Sequence, residues 1–155
     1  MSAKRIYRPI AIALAGGIAA LIPLAGFGDK GHTAAWTGTL LKDEIDLVLY
    51  DSYAQDMKVI DDGSRDIPCG TERAKRRYEV TATRYHPGLD DPTELVDEIT
   101  GTLLAIYKLT NRRTGPEGEP TSALRDKKNH TTITVSSPRR GQIQITGITD
   151  CLRKG

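Results

Sequence analysis

The chain begins with an uncharged apolar run that divides it into two parts with different environments. Residues 10–27 contain no charged side chain, and Lys4, Arg5 and Arg8 precede them. A basic start, an apolar middle and small residues where the polar chain begins are typical of an export signal or an N-terminal membrane anchor. We therefore expect residues 1–28 to enter or cross the membrane and the rest of the chain to lie outside the cytoplasm.

The length of this run fits both a cleaved signal peptide and a retained anchor. A helix of residues 10–27 spans about 27 Å, which is enough for a thin bilayer core. Gly26 and Gly28 could form a cleavage site before Asp29. The protein is thus predicted to be either secreted or anchored to the cell membrane through residues 10–27.

The end of the run resembles the lipobox of bacterial lipoproteins. The sequence Leu24-Ala25-Gly26-Phe27 matches the Leu-Ala-Gly that precedes the lipid-bearing cysteine in that family, but Phe27 occupies the cysteine position. Phenylalanine has no nucleophile that lipid could alkylate. The resemblance implies lipoprotein relatives, while lipid attachment at this residue is chemically impossible.

The exported part carries almost no net charge. Of 22 basic residues in the chain, Lys4, Arg5 and Arg8 belong to the leader, which leaves 19 against 20 acidic residues and a formal net charge of −1. Binding to nucleic acid requires a surplus of cations on the folded surface. We therefore predict no nucleic-acid partner. The length of the exported part suits one domain. We expect residues 29–38 to form a flexible tether and residues 39–155 to form a single folded unit.

Cys69 and Cys151 are the two cysteines, and an oxidising compartment favours a disulfide between them. The competing interpretation is a metal site. Two distant cysteines and the histidines His32, His86 and His130 show no spacing typical of metal ligands, so we predict neither a metal nor a cofactor.

The apolar periodicity predicts two helices. Leu41, Ile45, Val48, Leu49 and Tyr53 gather on one face of a helix that should run to about Gln55. Asp91-Pro92-Thr93-Glu94 combines an N-cap acceptor, a proline at the first helical position and a capping-box glutamate, which predicts a second helix reaching about Leu109. The stretch that follows, residues 111–129, is rich in glycine, proline and charge and is predicted to be a long mobile loop.

Alternating residues predict strands after each helix. Residues 57–70 form an interrupted strand, residues 76–83 a cleanly alternating one, and residues 131–137 and 142–149 a second hairpin. The order αββαββ favours an α+β fold in which two helices pack on one face of a four-stranded, mostly antiparallel sheet. The predicted buried face of the sheet comprises Val59, Tyr78, Val80, Ile133, Val135, Ile143 and Ile145.

Charge separates along the exported chain into blocks of −6 in residues 29–72, +4 in 73–88, −5 in 89–107 and +6 in 108–155. Both helical stretches are acidic and both strand-rich stretches are basic. This dipolar arrangement predicts a surface for an anionic partner, namely an envelope polymer, a lipid headgroup or an envelope protein. The candidate residues are Arg73, Lys75, Arg76, Arg77, Arg112, Arg113, Arg139 and Arg140. The alternative is that these charges only keep the domain soluble.

The sequence contains no established catalytic motif such as G-x-S-x-G, H-E-x-x-H or a phosphate-binding loop. The paired carboxylates Asp61-Asp62 and Asp90-Asp91 precede a glycine turn and a helix cap, which accounts for both pairs. We therefore predict a protein that is not an enzyme.

The paired cysteines and the ending Ile145-Thr146-Gly147-Ile148-Thr149-Asp150-Cys151 resemble actinobacterial exported lipoproteins of the LppA kind. The resemblance implies a small exported domain without an assigned reaction. We expect a non-catalytic cell-envelope protein with a binding or accessory role. A secreted or membrane-anchored hydrolase and a structural envelope subunit are the alternatives.

Overall fold

The computed structural model describes residues 31–84, 90–105 and 107–155, with the backbone alone at positions 109 and 111–113. The predicted leader, its membrane contact through residues 10–27, and His86 lie outside the described residues.

The first helix, α1, spans Ala34–Asp51 and begins earlier than predicted. Thr33 caps it, because its hydroxyl accepts a hydrogen bond from the backbone N–H of Trp36 at 3.2 Å. Ala34 and Thr37 are fully buried. Residues 34–38 therefore belong to the helix, where Ala34, Thr37 and Gly38 are buried, and the prediction that they form a flexible tether is wrong.

Four strands follow α1: β1 (Gln55–Asp62), β2 (Ile67–Gly70), β3 (Arg73–Lys75) and β4 (Arg77–Thr83). The second helix, α2, spans Pro92–Leu103. Asp91 caps it as predicted, since its carboxylate accepts hydrogen bonds from the backbone N–H groups of Thr93 and Glu94 at 2.9 and 3.4 Å. The helix ends at Leu103 and not near Leu109.

The remaining strands are β5 (Lys108–Thr114), β6 (Pro120–Asp126), β7 (Thr131–Ser136), β8 (Gln142–Thr149) and β9 (Leu152–Arg153). β5 and β6 form an antiparallel hairpin within the stretch that we predicted to be a mobile loop. The glycines and prolines of that stretch are concentrated in the tight connection between the two strands, where the backbone N–H of Gly118 donates to the carbonyl of Gly115 at 3.0 Å.

The strands form two antiparallel sheets. The larger is six-stranded in the order β1-β4-β8-β7-β6-β5, and the smaller contains β2-β3-β9. The predicted α+β class with two helices and antiparallel sheet is confirmed. The predicted four-stranded sheet and the order αββαββ are wrong. The strands β5 and β6 extend the large sheet to six strands, and β2, β3 and β9 form a separate sheet.

Both helices pack on the same face of the large sheet, α1 over β4 and β8 and α2 over β6 and β7. Six of the seven predicted core residues of the sheet are buried there: Tyr78, Val80, Ile133, Val135, Ile143 and Ile145. Val59 is the exception and is 48 % exposed. It lies on the edge strand β1, whose pairing with β4 is irregular on both sides of it.

The predicted disulfide between Cys69 and Cys151 is confirmed, with the two Cα atoms 5.9 Å apart. It joins β2 to the short connection between β8 and β9 and so ties the small sheet to the end of the large one. Among the described residues, no helix is both long enough and apolar enough to span a membrane.

Candidate functional site

The eight predicted basic residues do not form one surface. Arg73, Lys75, Arg76 and Arg77 follow one another along β3 and β4, whereas Arg112 and Arg113 lie on β5 at the far edge of the large sheet. Arg139 and Arg140 lie in the connection between β7 and β8, at the opposite end of β4 from Arg77.

Several of these cations are already neutralised by nearby carboxylates. Arg76 Nε lies 2.9 Å from Asp66 Oδ1, and Arg77 forms an ion pair with Glu79. Arg140 Nε lies 3.6 Å from Asp90 Oδ1. Arg73, Lys75 and Arg139 have no ion-pair partner among the described residues, so their charges are available to a ligand.

Arg73 lines a pocket of about 310 Å³ beside the disulfide. We call this cavity the basic pocket. The described residues that line it are Gly31, His32, Arg73, His130, Cys151, Leu152 and Arg153. Two arginines and two histidines thus converge on one small cavity.

The small sheet positions the two arginines. Arg73 on β3 and Arg153 on β9 are direct cross-strand partners. Like charges placed opposite each other destabilise an antiparallel pair unless something neutralises them. Arg153 also lacks an ion-pair partner among the described residues. The two guanidinium groups therefore create a local excess of positive charge at the rim of the basic pocket.

The segment that leads into α1 supplies the third polar side chain of the basic pocket, His32. Thr33 forms a parallel bridge with Arg153, and this bridge places His32 against the small sheet. His32 Nδ1 is shielded from solvent and has no hydrogen-bond partner within the described part of the chain. A buried nitrogen without a partner is costly, so a ligand that supplies one would be favoured at this position.

The fourth lining side chain, His130, is held by an acidic partner. Its Nδ1 lies 3.2 Å from Asp150 Oδ2, and its ring lies 5.5 Å from that of His32, edge to face. Arg125 donates to both oxygens of Asp150 at 2.8 and 2.6 Å. Burial works to raise the pKa of Asp150, but these hydrogen bonds and the charge of Arg125 outweigh it and hold that pKa below its ordinary value.

A second pocket adjoins the first at His32. It also measures about 310 Å³ and is lined by Gly31, His32, Thr33 and Trp36. The rings of His32 and Trp36 are 4.9 Å apart in an edge-to-face arrangement, and Trp36 is 54 % exposed. The basic pocket is therefore flanked by an accessible aromatic side chain.

A third and larger pocket, of about 600 Å³, lies on the face of the large sheet opposite to the helices. Its lining consists mainly of hydroxyl and amide groups, including Thr121, Thr134, Ser136, Gln144 and Thr146. These side chains alternate with the buried apolar residues of the same strands and form a polar outward face. It lacks the concentration of charge found at the basic pocket.

Sequence reasoning identified Arg73 but not His32, His130 or Arg153. One signal was available: Arg73 lies four positions after Cys69 and Arg153 two positions after Cys151, so the predicted disulfide already implied that these arginines are neighbours. The histidines approach through the bridge at Thr33 and the turn before β7, which no local pattern reveals.

The chemistry of the basic pocket is that of anion recognition. Guanidinium groups bind phosphate and carboxylate oxygens through paired N–H donors, and imidazole adds further donors. Among the described residues, no cluster of histidine, cysteine and carboxylate side chains could hold a metal ion.

Comparison with known proteins gives no relative from which a role could be inferred. No family model, curated protein or solved structure matches the chain.

Proposed function

We propose that this protein is a non-catalytic, extracytoplasmic component of the cell envelope that binds an anionic group through the basic pocket. The observation that carries the proposal is the direct opposition of Arg73 and Arg153, two arginines without ion-pair partners among the described residues. An anion between them would remove the repulsion that the pairing creates. The solvent-shielded Nδ1 of His32 offers an additional contact.

The location outside the cytoplasm is supported by the apolar run of residues 10–27 and by the disulfide. The leader would either be removed, which yields a secreted protein, or hold the domain at the cell membrane. The resemblance to actinobacterial lipoproteins of the LppA kind agrees with an envelope role. The partner would be an envelope polymer, a lipid headgroup or an envelope protein that presents a phosphate or carboxylate, and not a nucleic acid.

Inorganic phosphate is a suitable first probe. The full chain in neutral detergent would be titrated with phosphate at constant ionic strength while backbone amide signals are recorded by NMR. We expect saturable shifts at Gly31, His32 and Leu152. The double variant Arg73→Ala/Arg153→Ala should bind phosphate at least about 100-fold more weakly, because it removes two charged hydrogen bonds that contribute about 1.5–3 kcal/mol each.

The matched control is Arg139→Ala/Arg140→Ala, which removes the same charge from the connection between β7 and β8. It should bind phosphate like the wild type. Equal weakening in both double variants would show that only overall charge matters, and the assignment to the basic pocket would then be incorrect.

One observation favours the alternative of a hydrolase. His130 carries an acidic partner on Nδ1, an arrangement that leaves Nε2 available as a general base. Incubation with bis(4-nitrophenyl) phosphate tests this alternative. Turnover that disappears in His130→Ala would replace the binding proposal with an enzymatic one.

A further inference from the structure

Trp36 stands at the boundary between the domain and its N-terminal leader. It is the single tryptophan of the chain, lies in the first turn of α1 and is 54 % exposed. A large exposed aromatic ring that packs edge to face on His32 does not contribute to the main core. Tryptophan is enriched, together with tyrosine, at the headgroup level of a bilayer.

Exposed cations lie on the same end of the domain. Arg73 and Arg153 line the basic pocket, which shares His32 with the pocket beside Trp36. Lys154 follows Arg153, and its backbone N–H donates to the carbonyl of Glu72 at 3.1 Å. Among the described residues of β3, β9 and the positions next to them, three exposed cations thus accompany one exposed acid, Glu72.

The chain connects this end of the domain to the apolar run. Residues 10–27 stop only four positions before Gly31, the first described residue, which lines both pockets. An extended chain covers about 3.3–3.6 Å per residue, so an apolar run inserted in a bilayer would keep Gly31 within about 15 Å of the membrane. The aromatic ring and the cations are therefore on the side of the domain that the leader would hold toward lipid.

We propose that the end of the domain formed by His32, Trp36, Arg73, Arg153 and Lys154 docks on an anionic lipid bilayer, with Trp36 at the interface and a lipid phosphate in the basic pocket. This membrane-docking surface rests on the proposed function, since it names the lipid headgroup as the anion that the basic pocket binds. A soluble polymer or a protein patch would use the cations, but it would not explain an exposed tryptophan beside the end of the apolar run.

Trp36 is also the natural probe for the test. The full chain would be reconstituted in vesicles of phosphatidylcholine alone or mixed with phosphatidylglycerol, with a brominated lipid as quencher of tryptophan fluorescence. We expect stronger quenching and a blue-shifted emission in the anionic vesicles. Both effects should largely disappear at about 1 M salt, where the screening length is about 3 Å.

The variant Arg73→Ala/Arg153→Ala separates docking from mere attachment by the leader. Each cation near an anionic surface contributes about a fivefold increase in binding, so the ratio of docked to undocked protein should fall about thirtyfold. The control Arg139→Ala/Arg140→Ala should be quenched like the wild type.

Two outcomes would overturn membrane docking: equal quenching of the wild type in both kinds of vesicle, or undiminished quenching of the Arg73→Ala/Arg153→Ala variant in anionic vesicles. Phosphate binding in neutral detergent distinguishes the two proposals. If phosphate binds but the vesicles make no difference, membrane docking fails and the anion-binding function remains. If neither is observed, both fail.

Discussion

Arg125 donates two hydrogen bonds to the carboxylate of Asp150, one from Nη1 at 2.8 Å and one from Nη2 at 2.6 Å. This acid is the one that contacts His130 at the basic pocket, at 3.2 Å. Because Arg125 already neutralises Asp150, the carboxylate does not cancel the charge of Arg73 and Arg153. The pocket therefore stays positive although an acidic residue lies next to it.

Asp150 should make the stability of the domain depend on acidic pH. Its pKa is lowered in the folded protein, so it contributes stability above the unfolded value of about 3.9 that is lost as the pH falls through the folded pKa. Asp150→Asn should lower the free energy of unfolding at neutral pH, and the difference from the wild type should shrink below about pH 4. Urea unfolding across this pH range, followed by circular dichroism, measures the effect.

Asp43→Asn is the matched control, since Asp43 is an exposed acid on α1. Asp43 takes no part in the Arg125 pair, so this variant should lower the free energy of unfolding at neutral pH less than Asp150→Asn does. A difference between Asp150→Asn and wild type that stays constant down to about pH 2 would contradict the role assigned to the Arg125 pair.

The disulfide should be a major source of stability. Cys69 and Cys151 are 82 positions apart, and on the chain-entropy model a loop of that length restricts the unfolded chain by about 4.5 kcal/mol. Cys69→Ser/Cys151→Ser should therefore lower the free energy of unfolding by about 2–5 kcal/mol in urea titrations. It should also weaken phosphate binding, because the small sheet that aligns Arg73 with Arg153 loses its covalent link.

Reduction of the wild-type protein provides the control for that variant. The reduced protein and the double serine variant should unfold at the same urea concentration. A loss of less than about 1 kcal/mol would show that the β2-β3-β9 sheet holds without the covalent link.

The features that the sequence predicted correctly are those encoded by local pattern. Strict alternation identified β4, β7 and β8, and the Asp91-Pro92 pair located the start of α2. The disulfide followed from the number of cysteines and the expected compartment. In each case the signal lies within a few residues or in a simple count.

The features that were missed depend on small residues or on distant contacts. The first turn of α1 is buried through Ala34, Thr37 and Gly38, which carry little hydrophobic signal. In β6, Leu124 is the one large apolar residue in a strand whose other buried side chains are Ser122 and Asp126. The basic pocket is assembled from four separate segments, so no local pattern could reveal it.

Gly147 should be required for the close approach of α1 to the sheet. A Cβ at this position would lie 2.7 Å from Ile45 Cδ1 and 2.8 Å from Leu41 Cγ. Gly147→Ala should therefore cost about 1–3 kcal/mol of stability through overpacking. Gly101 in α2 is the contrasting position, because a Cβ there would meet nothing within 4 Å.

Gly101→Ala should raise stability by up to about 1 kcal/mol, since alanine favours the helical backbone. Thermal unfolding of both variants tests the pair of predictions. A Gly147→Ala protein as stable as the wild type would mean that α1 can move away from β8 without loss.

Glu44 on α1 provides the prediction with the opposite pH dependence from Asp150. The Tyr107 hydroxyl donates to its carboxylate, and Thr131 Oγ1 donates to the Tyr107 hydroxyl at 3.1 Å. Burial raises the pKa of Glu44, with a further contribution from the charge of Asp126, and these outweigh the opposing hydrogen bond from Tyr107. The folded state therefore binds a proton more readily than the unfolded state, so the wild type loses stability as the pH rises from about 4.5 through the folded pKa.

Glu44→Gln retains an acceptor for the Tyr107 hydroxyl and removes the buried charge, so at pH 7 it should be at least as stable as the wild type and should lack this pH dependence. Tyr107→Phe removes the donor to Glu44 and the acceptor for Thr131, and it should cost about 1–3 kcal/mol. Urea unfolding of the three proteins at acidic and neutral pH compares them directly. If Glu44→Gln were less stable than the wild type at pH 7, the carboxylate charge itself would have to stabilise the contact between α1 and Tyr107. Burial would then not be the dominant effect on the pKa of Glu44.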